Sequence, residues 1–251
     1  MTTPPDKPAQ DAIEITPADR VFVLTGAGIS AESGLKTFRD SNGLWAGYRV
    51  ETVATPEGWH ADPELVWQFY SHRREEAGKS QPNPAHLALA RLEQQLGPNF
   101  FLCTQNVDDL HERAGSRNLV HMHGQLYHSR CEADCGVPVH EDRDSYITLV
   151  DIPRCRCGAR IRPAIVWFGE IPLQMNRIER EIDRCTILLV VGTSGAVYPA
   201  ASFVQWARSR SGAPARTIYI GPEEPLNASA FTRIVLGKAG EKLPGLFKIT
   251  Q

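Results

Sequence analysis

Two stretches of the sequence combine residues that can bind a nucleotide. Gly26-Ala27-Gly28 follows a short apolar run, and such a glycine turn lets backbone N–H groups approach a phosphate closely. The polar stretch from Gln105 to Asp108 follows a second apolar run and supplies two amides and a carboxylate, which can hold a ribose and a carboxamide. Either stretch alone is also compatible with a strand-to-helix turn that binds nothing.

A third apolar run ends at His121-Met122-His123-Gly124. An imidazole at a strand end can take a proton near neutral pH, so His123 is the candidate general base. A lone histidine in such a loop is more often hydrogen-bonded to its neighbours without a catalytic role. The hypothesis therefore depends on the polar stretches meeting beside His123.

The glycine turn departs from the usual dinucleotide fingerprint, which places a third glycine three residues after the second. The next glycine is Gly34, and no acidic residue stands at a strand end about 20 residues later to hold a ribose. These departures disfavour a hydride-transferring dehydrogenase.

Four cysteines cluster where the apolar periodicity disappears. Cys131-x3-Cys135 and Cys155-x-Cys157 together offer four thiolates, which suit a tetrahedral structural zinc. The spacings differ from the usual C-x2-C, which leaves His128 or His140 open as a replacement for one ligand. The alternative is four unrelated thiols. The two remaining cysteines border apolar runs and are predicted to be buried core thiols, Cys103 and Cys185.

Alternating strands and helices are predicted to position these residues. Apolar runs at 21–24, 100–103, 187–191 and 217–220 are typical of buried strands, and helices are predicted over 30–34, 62–77, 83–96 and 200–210. This alternation predicts an α/β fold with a doubly wound, parallel, Rossmann-like sheet. Ligands of such sheets bind at the carboxyl ends of the strands, where the polar stretches lie.

Changes in composition divide the chain into predicted segments. Residues 1–15 are predicted to form a disordered tail, and 46–83 a helical insertion. Residues 129–160 are predicted to form an inserted zinc-binding module. The Rossmann-like domain is predicted to comprise 16–45, 84–128 and 161–251.

The bulk composition is that of an ordinary globular protein. Of 251 residues, 42% are apolar and 22% charged, and the net charge of -2 favours neither stable nucleic acid binding nor an acidic membrane. No apolar run approaches the ~20 residues that span a bilayer. Without a secretory pattern at the start of the sequence, we expect a cytoplasmic protein with reduced or metal-bound cysteines, and favour a monomer.

The motifs occur in an order that resembles the signature of the sirtuin family. The resemblance runs from about Val21 to Leu246, and its motifs are Gly26–Gly34, Thr37–Arg39, Gln105–Asp108, His123-Gly124, Val166–Glu170 and Gly192–Ser194. It implies NAD-dependent removal of acyl groups from protein lysines, with nicotinamide and an O-acyl-ADP-ribose released. Under this resemblance His123 deprotonates a ribose hydroxyl, and the catalytic set is His123, Asn106 and Asp108.

Two other functions share this signature. A silent sensor of NAD or ADP-ribose would lack the base or the strand-end amides, yet His123, Asn106 and Asp108 are present. ADP-ribosyl transfer to protein shares the early chemistry and stays open.

The resemblance also implies the binding residues. The NAD contacts are Gly26, Ala27, Gly28, Glu32, Thr37, Phe38, Arg39, Gln105, Asn106, Val107, Asp108, Gly192, Thr193, Ser194, Gly221, Glu223 and Ala239. The substrate contacts are Ala46, Tyr70, Arg73, Val166, Phe168, Gly169, Glu170 and Val197. Two positions depart from the family: Val107 replaces a common isoleucine, and Gly221-Pro222-Glu223 lacks the usual asparagine that holds the adenosine ribose.

Tyr70 and Arg73 are three residues apart on a predicted helix and therefore share a face. A guanidinium binds a carboxylate through two hydrogen bonds, and a phenol can add a third. This pair resembles the selector of the desuccinylase-type sirtuins, and the small Ala46 leaves room for a longer acyl chain. We therefore expect succinyl or malonyl groups to be favoured, with deacetylation retained. The alternative is a surface arginine beside a core tyrosine.

Overall fold

A six-stranded parallel sheet forms the larger of two lobes. The structure, a computed structural model, describes residues 12–37, 44–195, 197–210 and 212–250. The strands of the chain are β1 (Ile13–Ile15), β2 (Val21–Thr25), β3 (Leu44–Trp45), β4 (Tyr48–Arg49), β5 (Phe100–Thr104), β6 (Leu119–His121), β7 (Gly124–Cys131), β8 (His140–Glu141), β9 (Ile161–Ile165), β10 (Ile187–Val191), β11 (Arg216–Gly221), β12 (Arg233–Leu236) and β13 (Phe247–Ile249). The sheet order is β12-β11-β10-β2-β5-β6, which confirms the predicted parallel α/β architecture.

Helices cover both faces of this sheet. The helices of the described chain are α1 (Val50–Val53), α2 (Pro56–Ala61), α3 (Pro63–Lys79), α4 (Pro84–Leu96), α5 (Leu110–Ala114), α6 (Met175–Arg184), α7 (Phe203–Arg208) and α8 (Ala239–Lys242), of which the first three lie in the small lobe. Alternate residues of β2 point to opposite faces, so Val23 packs in one core cluster with Leu89 of α4, and Phe22 packs in another with Phe203 of α7. The central strands β2, β5 and β10 are therefore buried on both sides, as their continuous apolar runs predict.

The small lobe comprises residues 44–79 and 124–170. It combines the β3–β4 hairpin and α1 to α3 with a three-stranded antiparallel sheet of order β8-β7-β9. One core cluster joins its parts, because Trp67 and Tyr70 of α3 pack in the same cluster as Cys131 and Cys155. The helical insertion and the cysteine module thus share a hydrophobic core.

Local signals set the ends of the long helices. The side chain of Asp62 accepts a hydrogen bond from Leu65 N at the start of α3, and Asn83 and His86 form a capping box at the start of α4. A proline occupies the first turn of each helix, where its missing N–H costs nothing.

Four sequence predictions need correction. Residues 13–15 are not disordered, because β1 buries Ile13 and Ile15 and pairs in parallel with β13. Residues 124–128 and 161–165, assigned to the Rossmann-like domain, lie in the strands β7 and β9 of the small lobe. The predicted helix at 30–34 falls in two short 3-10 turns, and that at 200–210 is a 3-10 turn followed by α7.

Across the described ranges, no helix has the length and apolar character needed to span a membrane.

Candidate active site

A cavity of about 690 Å³ separates the carboxyl edge of the parallel sheet from the small lobe. Loops that follow β2, β5 and β10 line one side, which we call the sheet wall. Tyr70 and Arg73 of α3 and the turn 165–170 line the other side, which we call the small-lobe wall. Residues that are distant in sequence therefore face one shared space.

The glycine turn after β2, Gly26–Gly28, packs against the turn after β10, which begins at Gly192. A Cβ on Gly28 would lie 2.7 Å from the carbonyl oxygen of Gly192, so a larger residue cannot fit there. The backbone N–H of Gly28 donates to that same oxygen over 2.8 Å. Gln105 Nε2 donates to Thr193 Oγ1 over 3.1 Å, which ties the polar stretch after β5 to the turn after β10. The ends of β2, β5 and β10 therefore meet at one wall of the cavity, the position at which parallel α/β sheets bind ligands.

Ser30 is the hub of a buried network beneath this wall. Its hydroxyl accepts from Asn106 Nδ2 over 3.1 Å and donates to Asp108 Oδ2 over 3.2 Å. His86 Nε2 lies 3.5 Å from Ser30 Oγ. Burial lowers the pKa of His86 to about 4, so the ring is neutral. Because His86 Nδ1 accepts from Asn83 N, the neutral ring directs its Nε2–H toward Ser30. Asn106 and Asp108 are therefore held in fixed orientations.

His123 lines the cavity with a defined tautomer. Its Nδ1 lies 3.2 Å from the carbonyl oxygen of Gln105, which can only accept, so Nδ1 carries the hydrogen and Nε2 keeps its lone pair. Burial lowers the pKa of His123 below its ordinary value, against the opposing effect of that hydrogen bond. The imidazole is thus neutral at physiological pH and able to accept a proton.

Buried polar side chains form the small-lobe wall. Arg73 is 7% exposed and donates from Nη1 to Glu76 Oε2 over 3.0 Å. Its guanidinium carbon lies 5.5 Å from the centre of the Trp45 ring. Its Nε is buried and has no hydrogen-bond partner among the described residues. Tyr70 is fully buried and accepts a hydrogen bond from Trp167 Nε1 over 3.0 Å. An unsatisfied guanidinium N–H beside a phenol is suited to an anionic group.

The turn that faces the cavity is held by an ion pair. Arg162 donates from both terminal nitrogens to the carboxylate of Glu170, over 2.7 and 3.0 Å, and Glu170 Oε2 also accepts from Trp167 N over 2.8 Å. The Glu170 carboxylate is therefore turned into the protein. Phe168, in contrast, is 48% exposed at the cavity.

The four cysteine sulfur atoms lie within 4.8 Å of one another. The Sγ atoms of Cys131 and Cys157 are 3.5 Å apart, as are those of Cys135 and Cys155. A tetrahedral zinc with bonds of about 2.3 Å holds its sulfur ligands about 3.8 Å apart, so the group fits this metal. No histidine from the described part of the chain joins the group, which argues against His128 and His140 as ligands. Four thiolates leave no open position, so a zinc here is structural.

Comparison with known proteins identifies the family. The model of the Sir2 family matches residues 26–199, which is well over half of the chain. The chain belongs to the Sir2 family. It is 46% identical over 234 residues to an NAD-dependent protein deacylase of Shewanella oneidensis, with 90% of this chain and 92% of the relative covered. An NAD-dependent protein deacylase of Vibrio cholerae is 47% identical, with 92% of each protein covered. A crystal structure of a Sir2 homolog–NAD complex is 42% identical with a TM-score of 0.81, and the match covers 92% of this chain and 89% of that one.

Most of the predicted Sir2 site residues line the cavity. On the sheet wall these are Gly26, Ala27, Gly28, Thr37, Gln105, Asn106, Val107, Asp108, His123, Gly192, Thr193, Ser194 and Glu223. On the small-lobe wall they are Tyr70, Arg73, Val166, Phe168, Gly169 and Glu170. Val197, in the loop that follows β10, also lines the cavity. Phe38 and Arg39 lie outside the described residues.

Four predicted residues are not part of the lining that the described residues form: Glu32, Ala46, Gly221 and Ala239. Glu32 instead accepts a hydrogen bond from Gly240 N over 2.8 Å. Ala46 has a left-handed φ of 50° in the β3–β4 turn, and Ala239 is buried at the start of α8.

Position 221, where the resemblance leads one to expect an asparagine, is crowded by a neighbouring side chain. A Cβ on Gly221 would lie 2.3 Å from Tyr219 Oη, so the tyrosine occupies the space that a side chain at 221 would need. Tyr219 itself lines the cavity beside Pro222 and Glu223. With the Tyr219 ring in this position, only a glycine fits at position 221 of β11.

Sequence reasoning missed several residues of the site. Ser30 lies inside the glycine motif, but only the fold reveals its contacts with Asn106 and Asp108. Trp167 lies inside the Val166–Glu170 motif, but only the fold reveals its hydrogen bond to Tyr70. Glu76 lies one helical turn after Arg73, so the spacing of the two residues was an available signal.

Proposed function

We propose that this Sir2 protein removes acyl groups from protein lysines in a reaction that consumes NAD, and that it favours acyl groups ending in a carboxylate. One observation carries the proposal: a neutral imidazole, two glycine turns and a buried arginine line a single cavity. The relatives named as NAD-dependent protein deacylases support the reaction type.

The sheet wall fits NAD. Gly26, Gly28 and Gly192 line the cavity at the carboxyl edge of the sheet, where parallel α/β folds bind nucleotides, and the fixed side chains of Asn106 and Asp108 suit a carboxamide and a ribose. Bound NAD would supply an electrophilic ribose carbon, with nicotinamide as the leaving group. We assign to Gln105, Asn106 and Asp108 the task of holding the nicotinamide and its ribose.

His123 acts as the general base in this proposal. Its Nε2 lone pair takes a proton from a ribose hydroxyl, and the hydrogen bond from Nδ1 to Gln105 stabilises the imidazolium that forms. The buried position of the ring keeps it unprotonated until that step. Because this base acts after the acyl oxygen has attacked the ribose, it serves every acyl group alike.

Arg73 and Tyr70 select the acyl group. Arg73 Nε, which has no partner among the described residues, can bind a terminal carboxylate, and Glu76 fixes the guanidinium by occupying Nη1. A charge-assisted contact of this kind contributes about 1.5–3 kcal/mol, which corresponds to about tenfold to a hundredfold in kcat/KM. An acetyl group lacks the carboxylate and gains nothing from the contact.

The substrate is an acylated lysine in a protein. The backbone of the turn from Val166 to Gly169 would pair with the substrate chain, with Val197 on the opposite side of the entrance, so that recognition depends little on sequence. We further propose a cytoplasmic monomer with neither nucleic acid nor membrane partners. The six free cysteines are compatible with a reducing compartment.

The test compares Arg73→Met with the unaltered protein on one peptide that carries succinyl-, malonyl- or acetyl-lysine. We expect kcat/KM for the acidic acyl groups to fall about tenfold to a hundredfold, and that for acetyl-lysine to change little. Arg49→Met is the matched control, because the Arg49 side chain is 74% exposed and outside the cavity. Equal losses on all three peptides would refute the selector role of Arg73.

A further inference from the structure

Trp167 lies directly behind the acyl selector. Its indole Nε1 donates to Tyr70 Oη over 3.0 Å, although the two residues are 97 positions apart in the sequence. Both side chains are almost fully buried, at 1% and 0% exposure. Water therefore does not compete for this hydrogen bond, and a buried partner of this kind restricts the phenol strongly.

The direction of this hydrogen bond determines what Tyr70 can do. An indole N–H can only donate, so the phenol oxygen must accept from Trp167. The phenol keeps its own O–H, and within the described ranges no residue accepts it. Burial raises the pKa of Tyr70, so the hydroxyl stays protonated. Since Tyr70 lines the cavity beside Arg73, its hydrogen is available to a ligand there.

Trp167 is itself immobilised. The guanidinium carbon of Arg162 lies 3.4 Å from the centre of its ring, and its backbone N–H donates to Glu170 Oε2. Arg162 and Glu170, which both contact Trp167, also form an ion pair with each other. The turn that we assign to the substrate backbone and the residue that orients Tyr70 are therefore one rigid unit.

We propose that Trp167 is a positioning residue for acyl selectivity, which fixes the Tyr70 hydroxyl as a hydrogen-bond donor to the terminal carboxylate of an acidic acyl group. The inference rests on the proposed function, since it presupposes that Tyr70 and Arg73 bind that carboxylate. In this proposal Trp167 acts through Tyr70 and takes no part in the chemical step. Its removal lowers the discrimination between acidic and neutral acyl groups rather than the reaction as a whole.

The test is a double-mutant cycle with Trp167→Phe and Tyr70→Phe in the full chain. Initial rates are measured with saturating NAD on one peptide carrying succinyl- or acetyl-lysine. We expect Trp167→Phe to lower the succinyl-to-acetyl ratio of kcat/KM by about threefold to tenfold, the value of one hydrogen bond. In the Tyr70→Phe background the same substitution has no further effect on the ratio, because its target hydroxyl is gone.

Trp59→Phe is the matched control. Trp59 lies in the same core cluster with its ring centre 5.9 Å from that of Trp167, and its Nε1 donates to Glu132 Oε2 over 2.8 Å. It loses an indole hydrogen bond of the same kind without touching Tyr70, so the ratio should stay within about twofold of the unaltered protein. Thermal melting shows whether each variant is folded. If Trp167→Phe does not fold, benzothienylalanine at 167 removes the N–H and keeps the ring shape.

Three results overturn the inference. One is an unchanged ratio in a folded Trp167→Phe or benzothienylalanine variant. Another is an additive loss in the double variant, which would mean that Trp167 acts independently of Tyr70. A third is an unaltered protein that processes succinyl-lysine no better than acetyl-lysine, and this result alone places the failure in the proposed function.

Discussion

The sheet wall and the small-lobe wall hold their functional groups by different means. Parallel register aligns Thr25 with Thr104 and Val191 with Thr25, so the loops that follow these strands emerge side by side. The small-lobe wall uses instead the side chains of Tyr70, Arg73 and Trp167, which are buried in an aromatic core. Backbone turns suit a cofactor shared by all reactions, and buried side chains suit a substrate group that varies. We therefore expect catalysis and acyl selectivity to be separable by mutation.

The largest effect should come from the base on the sheet wall. His123→Ala removes the only proton acceptor that we assign, so kcat/KM should fall by about 10²–10⁴-fold on succinyl- and acetyl-lysine alike. His60→Ala, which alters an exposed histidine outside the cavity, is the control. A loss confined to one acyl class would contradict the separation of the two walls, and unaltered rates would remove His123 from the mechanism.

Removal of zinc should affect the small lobe before the sheet lobe. Cys131 and Cys155 belong to the same core cluster as Tyr70, so chelation should lower the midpoint of thermal unfolding by on the order of 10 °C. Tryptophan fluorescence is a suitable probe because Trp45, Trp59, Trp67 and Trp167 all lie in or against that cluster. Added zinc should restore the signal. A metal-free protein of full stability would contradict the structural role.

The smallest effect concerns pH. His123 must be neutral to accept a proton, and its pKa lies below the ordinary 6.5 because the ring is buried. A lowered pKa keeps the active form populated to more acidic pH, so kcat/KM should change less than about twofold between about pH 7 and pH 8. The acidic limb should have its midpoint below 6.5 on both succinyl- and acetyl-lysine. A midpoint above 6.5, or different midpoints for the two substrates, would contradict the role of His123.

The sheet wall was largely predictable from sequence because its signals are local. Apolar runs followed by glycine or amide residues identify strand ends, and parallel sheets bring those ends together. The four cysteines were predictable for the same reason, since two cysteine pairs at short spacings are typical of a structural zinc site. The predicted disorder was wrong for residues 13–15. Their apolar-polar-apolar alternation is too short to indicate a strand, and their pairing with residues 247–249 is visible only in the fold.

The small-lobe wall was predictable only in part. The spacing of Tyr70 and Arg73 on one helix indicates a shared face, but the hydrogen bond from Trp167 joins residues 97 positions apart. The steric conflict between a side chain at position 221 and the ring of Tyr219 is likewise not visible in the sequence. Side-chain packing between distant segments is set by the tertiary fold, and local patterns carry little information about it.

The most direct test of this account is a mass analysis of the products formed from NAD and a succinyl-lysine peptide. The account predicts an unmodified lysine peptide, free nicotinamide and a succinylated ADP-ribose in equal amounts. A peptide that gains ADP-ribose, or one that keeps its succinyl group while NAD is bound, would contradict it.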